Sequence, residues 1–115
     1  MNNLCTVKNV CRLIADYELQ FQNKFGISLN EGLLLCSLRK GKISSGEIAH
    51  ELDLTCSNTS KVLRSVENKG LVERTLGEKD KRQMYFVLSK SGISMLKKME
   101  QDEIELPDTF KLFKF

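Results

Sequence analysis

Apolar side chains recur with a helical period along the first part of this chain. In residues 1–25 they fall at steps of three and four, and Gly26 then supplies the residue type that most often follows a helix end. This spacing predicts one long helix with an apolar face. The apolar positions are Leu4, Val7, Cys11, Ile14, Phe21 and Phe25.

Two capping boxes mark the starts of the next two helices. In each, a serine stands three residues before a glutamate, so that side chain and backbone can bond reciprocally: Ser28 with Glu31, and Ser44 with Glu47. The first of these helices is strongly apolar, and we expect it to lie in the core and to stop at Gly41. Its apolar residues are Leu33, Leu34, Leu35, Cys36 and Leu38.

Residues 47–70 have the pattern of a helix-turn-helix. Ile43 favours one short strand, and Asp53 breaks the short helix that follows it. Thr55 is a suitable N-cap for a longer helix that ends at Gly70. The positions expected to hold the two helices together are Ile48, Ala49, Leu52, Leu54, Thr59, Val62, Leu63 and Val66.

After Gly70 the period of the apolar positions changes from 3.6 to two. Residues 71–75 and 84–88 predict strands, and the polar segment 76–83 between them predicts the tip of a β-hairpin. Ser89 then caps a last helix with Ile93, Leu96 and Met99 at core spacing. The fold class is therefore mainly α (α+β): a winged helix-turn-helix with a two-stranded β-hairpin wing and flanking helices.

The outward face of the longer helix has the chemistry that DNA reading requires. Short polar side chains near a helix N-terminus can reach base edges, and cations further along can contact phosphates or guanine. Glu67 is the only acid in this helix, whereas an ordinary solvated face usually carries both signs of charge. The outward residues are Ser57, Asn58, Lys61, Arg64, Ser65 and Asn68.

The hairpin tip is a second candidate contact with DNA. Lys79, Lys81 and Arg82 cluster there, and a loop of this kind can lay an arginine along the minor groove. Asp80 can orient Arg82 through a charge-assisted hydrogen bond. The alternative is a solvated turn with a surface ion pair that contributes little to stability.

Composition and charge fit this interpretation. The 115 residues suit one domain, and 16 of the 18 basic but only 10 of the 15 acidic residues fall in residues 1–98.

Four cysteines without a C-x-x-C pair and a single histidine argue against a metal site, and we expect no cofactor. No catalytic grouping stands out, so we expect no enzyme. Without a signal peptide or a membrane-length apolar run, we expect a cytoplasmic protein.

Several segments together resemble the MarR family of bacterial and archaeal regulators. They are residues 46–52 (GEIAHEL), residues 67–74 (ENKGLVER), Asp80-Lys81-Arg82 and residues 88–92 (LSKSG), and the match covers about residues 28–99. The resemblance implies a homodimer that binds a pseudo-palindromic operator in double-stranded DNA. It also implies a small-molecule effector, often phenolic, that releases the DNA.

The resemblance assigns residue roles as well. It implies that Ser57, Asn58, Ser60 and Lys61 enter the major groove, and that Arg82, oriented by Asp80, reaches the minor groove. Residues 1–99 would then form the DNA-binding domain with an N-terminal dimerisation helix. Residues 100–115, an acidic and aromatic tail, are expected to be too short for the family's closing helix and to dock on a partner subunit or on the first helix.

Two functions from different classes follow. The first is a sequence-specific transcriptional regulator, as a repressor, that reads DNA through Ser57, Asn58, Ser60, Lys61 and Arg64 and through a wing of Lys79, Asp80, Lys81 and Arg82. The alternative is a winged-helix module for protein–protein interaction without specific DNA binding.

Two further side chains have both a structural and a functional interpretation. Cys56 lies in the first turn of the longer helix, which would contact DNA. It is either a small packing residue or a thiol whose oxidation disturbs DNA binding. His50 is expected on the exposed side of the short helix, as a surface residue or a phosphate contact.

Overall fold

A computed structural model describes residues 2–77, 84–108 and 110, with the side chain of Cys56 left out. Over these ranges the chain forms five helices and three strands, mainly helical as predicted. In order they are α1 (Asn3–Phe25), α2 (Leu29–Ser37), β1 (Ile43–Ser44), α3 (Ser45–Leu52), α4 (Cys56–Asn68), β2 (Val72–Leu76), β3 (Met84–Leu88) and α5 (Lys90–Gln101).

The predicted helix starts are confirmed. At α2 the Ser28 hydroxyl accepts from the Glu31 backbone N–H at 3.1 Å, while the Glu31 carboxylate accepts from the Ser28 N–H at 2.8 Å. At α3, Ser44 and Glu47 make the same reciprocal pair, at 3.2 and 3.3 Å. Thr55 caps α4 by accepting from the Asn58 N–H at 3.1 Å. Capping is local chemistry, which is why the sequence alone locates these residues.

The sheet has three antiparallel strands in the described part of the chain, in the order β1-β3-β2, where we predicted a two-stranded hairpin. Strand β1 adds to the free edge of β3, with Ile43 opposite Phe86 and Ser44 opposite Tyr85. On the other side Arg74 of β2 lies opposite Phe86. The third strand forms because it satisfies edge backbone groups of β3 that would otherwise need water.

Helix α2 lies at the centre of the core and packs against all four other helices. Three leucines of this region, with Ile48 of α3 and Val66 of α4, are almost completely buried. Phe86 of β3 joins the same cluster, so the sheet and the helix pair share one core. The three leucines are Leu34, Leu35 and Leu38.

Three core predictions are wrong. Leu33 is 45% exposed and Ile93 44% exposed, and Cys36 is also on the surface. Leucine and cysteine occupy more of the circumference of α2 than its neighbours cover, so Leu33 and Cys36 face a cleft instead. A pattern of apolar residues indicates which faces can be buried, but not which of them the chain covers.

Most of α1 extends beyond the core. Only Phe21 and Phe25 of its residues are buried, while Leu4, Val7 and Ile14 are 78%, 57% and 42% exposed. Beyond α5, Ile104 packs against the core and lines a cleft beside α1. Residues 103–105 therefore lie beside the first helix of their own chain. Whether the aromatic segment docks there or on a partner subunit stays a prediction. Residues 111–115, with most of the tail's aromatic side chains, lie outside the described residues.

Where the chain is described, no helix combines the length and the apolar character that crossing a membrane would require.

Candidate nucleic-acid interface

A tight turn fixes α4 relative to α3. Asp53 ends α3 in the left-handed conformation with φ 55°, and the Leu54 N–H donates to the Ala49 carbonyl at 3.0 Å. The buried Thr59 hydroxyl donates to the Thr55 carbonyl at 2.8 Å. Ala49 is buried, as its small side chain at the helix crossing predicts. These contacts and the shared core set the angle between the two helices.

The outward face of α4 is exposed as predicted. Thr59, Leu63 and Val66 are buried, whereas Ser60, Lys61 and Arg64 between them are exposed. The structure thereby brings all five described members of the predicted reading set onto one continuous surface of one helix. These residues are Ser57, Asn58, Ser60, Lys61 and Arg64.

Ser65 corrects the predicted face. It was expected to project outward with the reading residues, but it is half-buried and its hydroxyl donates to the Glu31 Oε2 atom at 2.8 Å. Glu31 lies on α2, 34 residues earlier in the sequence. The spacing along α4 could not reveal such a distant partner.

The only acid of α4 is neutralised. Arg74 of β2 donates to Glu67 through two nitrogens, at 2.7 and 3.0 Å, and its guanidinium lies 5.8 Å from the Phe86 ring centre. These hydrogen bonds raise the pKa of Arg74 above its ordinary value. The exposed face of α4 consequently presents the positive charges of Lys61 and Arg64 without an opposing carboxylate from its own helix.

A groove of about 220 Å³ lies between α4 and the sheet. It is lined by Ser60 and Arg64 from the reading face and by Ser45 at the start of α3. Met84, the first residue of β3, closes its other side. Strand β3 therefore begins immediately beside Ser60 and Arg64, which belong to the reading face.

The predicted wing residues Lys79, Asp80, Lys81 and Arg82 lie outside the described residues, as does the Cys56 side chain. Their roles stay predictions. Leu76 pairs with Met84 at the ends of β2 and β3, so the hairpin that carries the wing is formed. His50 is exposed, as expected, and lines a shallow depression with Asp53 and Thr55. Among the described residues, no three His, Cys, Asp or Glu side chains gather as metal ligands would.

Sequence reasoning missed a second cleft, of about 260 Å³, enclosed by α1, α2, α5 and the segment after α5. Its wall is mostly apolar, with Phe21, Phe25 and Met99, and an Arg39–Glu100 ion pair of 2.6 Å lies at its edge. Burial, with the Glu103 charge nearby, raises the pKa of Tyr17 on its wall. The cleft forms because four separate segments meet, and no local pattern marks such a meeting point.

Comparisons with known proteins agree on one family. The MarR family model matches residues 27–84. The structure of the S. aureus MepR–DNA complex is similar, with a TM-score of 0.77, 23% identity, and coverage of 89% of this chain and 77% of that one. AbsC, a MarR family transcriptional regulator from Streptomyces coelicolor, is also similar, with a TM-score of 0.74 and 20% identity. The match covers 89% of this chain and 74% of that one.

A mutant E. coli MarR complexed with operator DNA gives a TM-score of 0.74 at 20% identity, covering 82% of this chain and 70% of that one. No curated protein matches the sequence. The family model spans half of the chain, including the whole helix-turn-helix and β2, and the structural matches share the winged-helix fold. The chain is a member of the MarR family of transcriptional regulators.

Proposed function

We propose that this protein is a sequence-specific transcriptional regulator that reads double-stranded DNA with α4. One observation carries the proposal: the exposed face of α4 presents hydroxyl, amide and cationic groups, while its single acid is neutralised by Arg74. The major groove of B-DNA, about 12 Å wide, admits an α-helix and presents donors and acceptors that distinguish all four base pairs.

The order of side chains along α4 suits this groove. Ser57 and Asn58 lie in the first turn, where short side chains reach base edges and the helix dipole favours nearby phosphates. Lys61 and Arg64 follow one and two turns later, where they would contact guanine or the backbone.

The wing supplies the second contact in this proposal. Because Met84 lines a groove with Arg64 and Ser60, β3 begins beside the reading face. Arg82, oriented by Asp80, would enter the adjacent minor groove, with Lys79 and Lys81 on the phosphates.

The functional unit in this proposal is a homodimer on a pseudo-palindromic operator. Leu4, Val7, Cys11 and Ile14 follow one another at steps of three and four on the exposed part of α1. They continue the stripe that the core buries at Phe21 and Phe25, and a second copy would cover them. A dimer bound across a promoter blocks access to it, and we propose that the protein represses transcription in this way.

The first prediction concerns the reading face. A duplex selected from a random-sequence library by the protein should bind more weakly to Lys61→Ala and Arg64→Ala variants, each by about 1–3 kcal/mol. Asn58→Ala should change which base is preferred at one position of each half-site. Fluorescence anisotropy at several salt concentrations measures both effects, because loss of a phosphate contact also lowers the salt slope by about one.

Lys97→Ala is the matched control, since Lys97 is an exposed lysine on a different helix, α5. Its effect should be much smaller than that of Lys61→Ala. If Asn58→Ala, Lys61→Ala and Arg82→Ala all leave binding to the selected duplex unchanged, the assignment of the reading surface is wrong. A protein that selects no duplex but copurifies with a stoichiometric protein partner would instead be an interaction module.

The effector is proposed to bind in the cleft between α1, α2 and α5. Its apolar wall of Phe21, Phe25 and Met99 suits an aromatic molecule. A small phenol that weakens DNA binding by the parent protein should lose this effect in a Cys36→Phe variant, because Cys36 lines the cleft and the larger side chain fills it. Equal responses of the parent and Cys36→Phe to each phenol tested would contradict this location.

A further inference from the structure

Glu31 is a carboxylate that does more than cap a helix. Only 4% of its surface is exposed, which is exceptional for a charged residue. A capping box requires one hydrogen bond from this carboxylate, to the backbone of Ser28. The remaining acceptor sites of Glu31 are used by α4.

Two side chains of α4 bind this carboxylate. The Ser65 hydroxyl donates to Oε2 at 2.8 Å, and the Lys69 ammonium lies 2.8 Å from Oε1 and 2.9 Å from Oε2. With the Ser28 N–H, four donor contacts surround the two oxygens, about as many as an ionised carboxylate can accept.

The surroundings keep Glu31 charged. Burial acts to raise its pKa, but the hydrogen bonds from Lys69, the Ser28 backbone and Ser65 outweigh burial and lower the pKa below its ordinary value. A buried carboxylate that has lost these partners would be costly, so the charge ties α4 to α2.

Most of the reading face of α4 lies between two polar attachments. Ser65 and Lys69 are four residues apart and share one flank of the helix, facing α2. Glu67 is about 160° around the axis from each, at 100° per residue, and is attached to β2 through Arg74. Lys61 and Arg64 fall between these two flanks.

Directional contacts of this kind control rotation in a way that the apolar core does not. Hydrophobic burial is non-directional, and it changes little when a helix turns slightly about its own axis. When a helix turns by about 10°, a side-chain tip that lies about 5 Å from the helix axis is displaced by roughly 1 Å. That displacement exceeds the distance range over which a hydrogen bond to a base edge stays strong.

We propose that Glu31 is a positioning residue for DNA recognition: by holding Ser65 and Lys69 it fixes the rotation of α4 and so determines discrimination between DNA sequences. The inference rests on the proposed DNA-binding function. It assigns Glu31 no contact with the DNA.

Glu47 provides a matched control for the test. It occupies the same place in the capping box of α3, where its carboxylate accepts from the Ser44 N–H at 3.3 Å and from the Ser44 hydroxyl at 2.9 Å, both within the cap itself. Glu31→Gln and Glu47→Gln both keep a carbonyl oxygen for the cap. Only Glu31→Gln removes the charge that Lys69 binds.

The readout is the ratio of the Kd for an unrelated duplex to the Kd for the duplex that the parent protein selects from a random library. Glu31→Gln should lower this ratio about tenfold, the effect of losing one good base contact, while Glu47→Gln should stay within about twofold. A change in stability alone does not move the ratio when all proteins are assayed well below their unfolding temperature. Equal ratios for the two variants, high or low, would overturn the inference.

A second variant covers the case in which Glu31→Gln does not fold. Ser65→Ala removes one of the two attachments from the α4 side while Lys69 still neutralises the buried carboxylate, and alanine is favourable within a helix. This variant changes no charge, so a change in the ratio reports positioning and not a weaker attraction to phosphates. An unchanged ratio in this variant would overturn the inference while leaving the proposed function intact. Failure of the parent protein to prefer any duplex would overturn both.

Discussion

A Gly92→Ala variant is expected to lose about 3 kcal/mol or more of unfolding free energy, a large share of the 5–15 kcal/mol typical of a domain. Gly92 is in the first turn of α5 and packs directly on the chain segment that follows α4. A methyl group there would overlap the Leu71 carbonyl oxygen and would lie 3.2 Å from the Leu88 Cδ2 atom.

The overlap cannot relax easily, because the obstacle is backbone. The Leu71 carbonyl also accepts from the Ser89 N–H at 3.0 Å, and the Leu71 N–H donates to the Val66 carbonyl of α4 at 2.9 Å. Moving Leu71 away from α5 would therefore break the cap region of α5 or shift the end of α4. We expect weaker DNA binding to accompany the lower stability.

Urea unfolding followed by circular dichroism measures this effect, with Gly46→Ala as the control. Gly46 is also in the first turn of a helix, but a methyl group there would meet nothing within 4 Å. Alanine should then leave stability unchanged or raise it by about 0.5 kcal/mol. Equal unfolding midpoints for the two variants would show that the contact between Gly92 and Leu71 is not as close as described.

The fold was predictable wherever its determinants are local. The capping side chains satisfy backbone groups of their own helix, so spacing within a few residues is sufficient to find them. They are Ser28 with Glu31, Ser44 with Glu47, and Thr55. The exposed residues of α4 were found for the same reason, since a period of 3.6 separates Lys61 and Arg64 from Leu63 and Val66.

The errors arise where a residue's environment is supplied by a distant segment. Ser65 has the spacing of an outward residue, but Glu31 on α2 draws it inward. Cys36 and Leu33 have the chemistry of core residues, but α1 and α5 leave a cleft beside them. The closeness of Gly92 to Leu71 likewise depends on how α5 returns to the end of α4, which no local pattern specifies.

The second large effect concerns α1: a Val7→Asp variant is expected to be monomeric and to bind a duplex with two half-sites 10²–10⁴-fold more weakly. Val7 is 57% exposed within one chain, so the substitution costs that chain little. In the proposed homodimer it lies on the stripe with Leu4 and Ile14, where a buried, unpaired carboxylate is unfavourable. The two recognition helices of a dimer occupy half-sites about 34–36 Å apart, and separate monomers lose the gain from binding both.

Sedimentation equilibrium gives the mass, and binding to duplexes with one or two half-sites separates dimerisation from recognition. Val7→Asp should lower affinity only for the duplex with two half-sites, because the reading face on α4 is intact in each monomer. Asn9→Asp introduces the same charge on α1, about 200° around the helix from Val7, and should remain dimeric with parental affinity. A dimeric Val7→Asp protein would place the subunit contact elsewhere, whereas a monomer that retains full affinity for two half-sites would contradict a dimer as the DNA-binding unit.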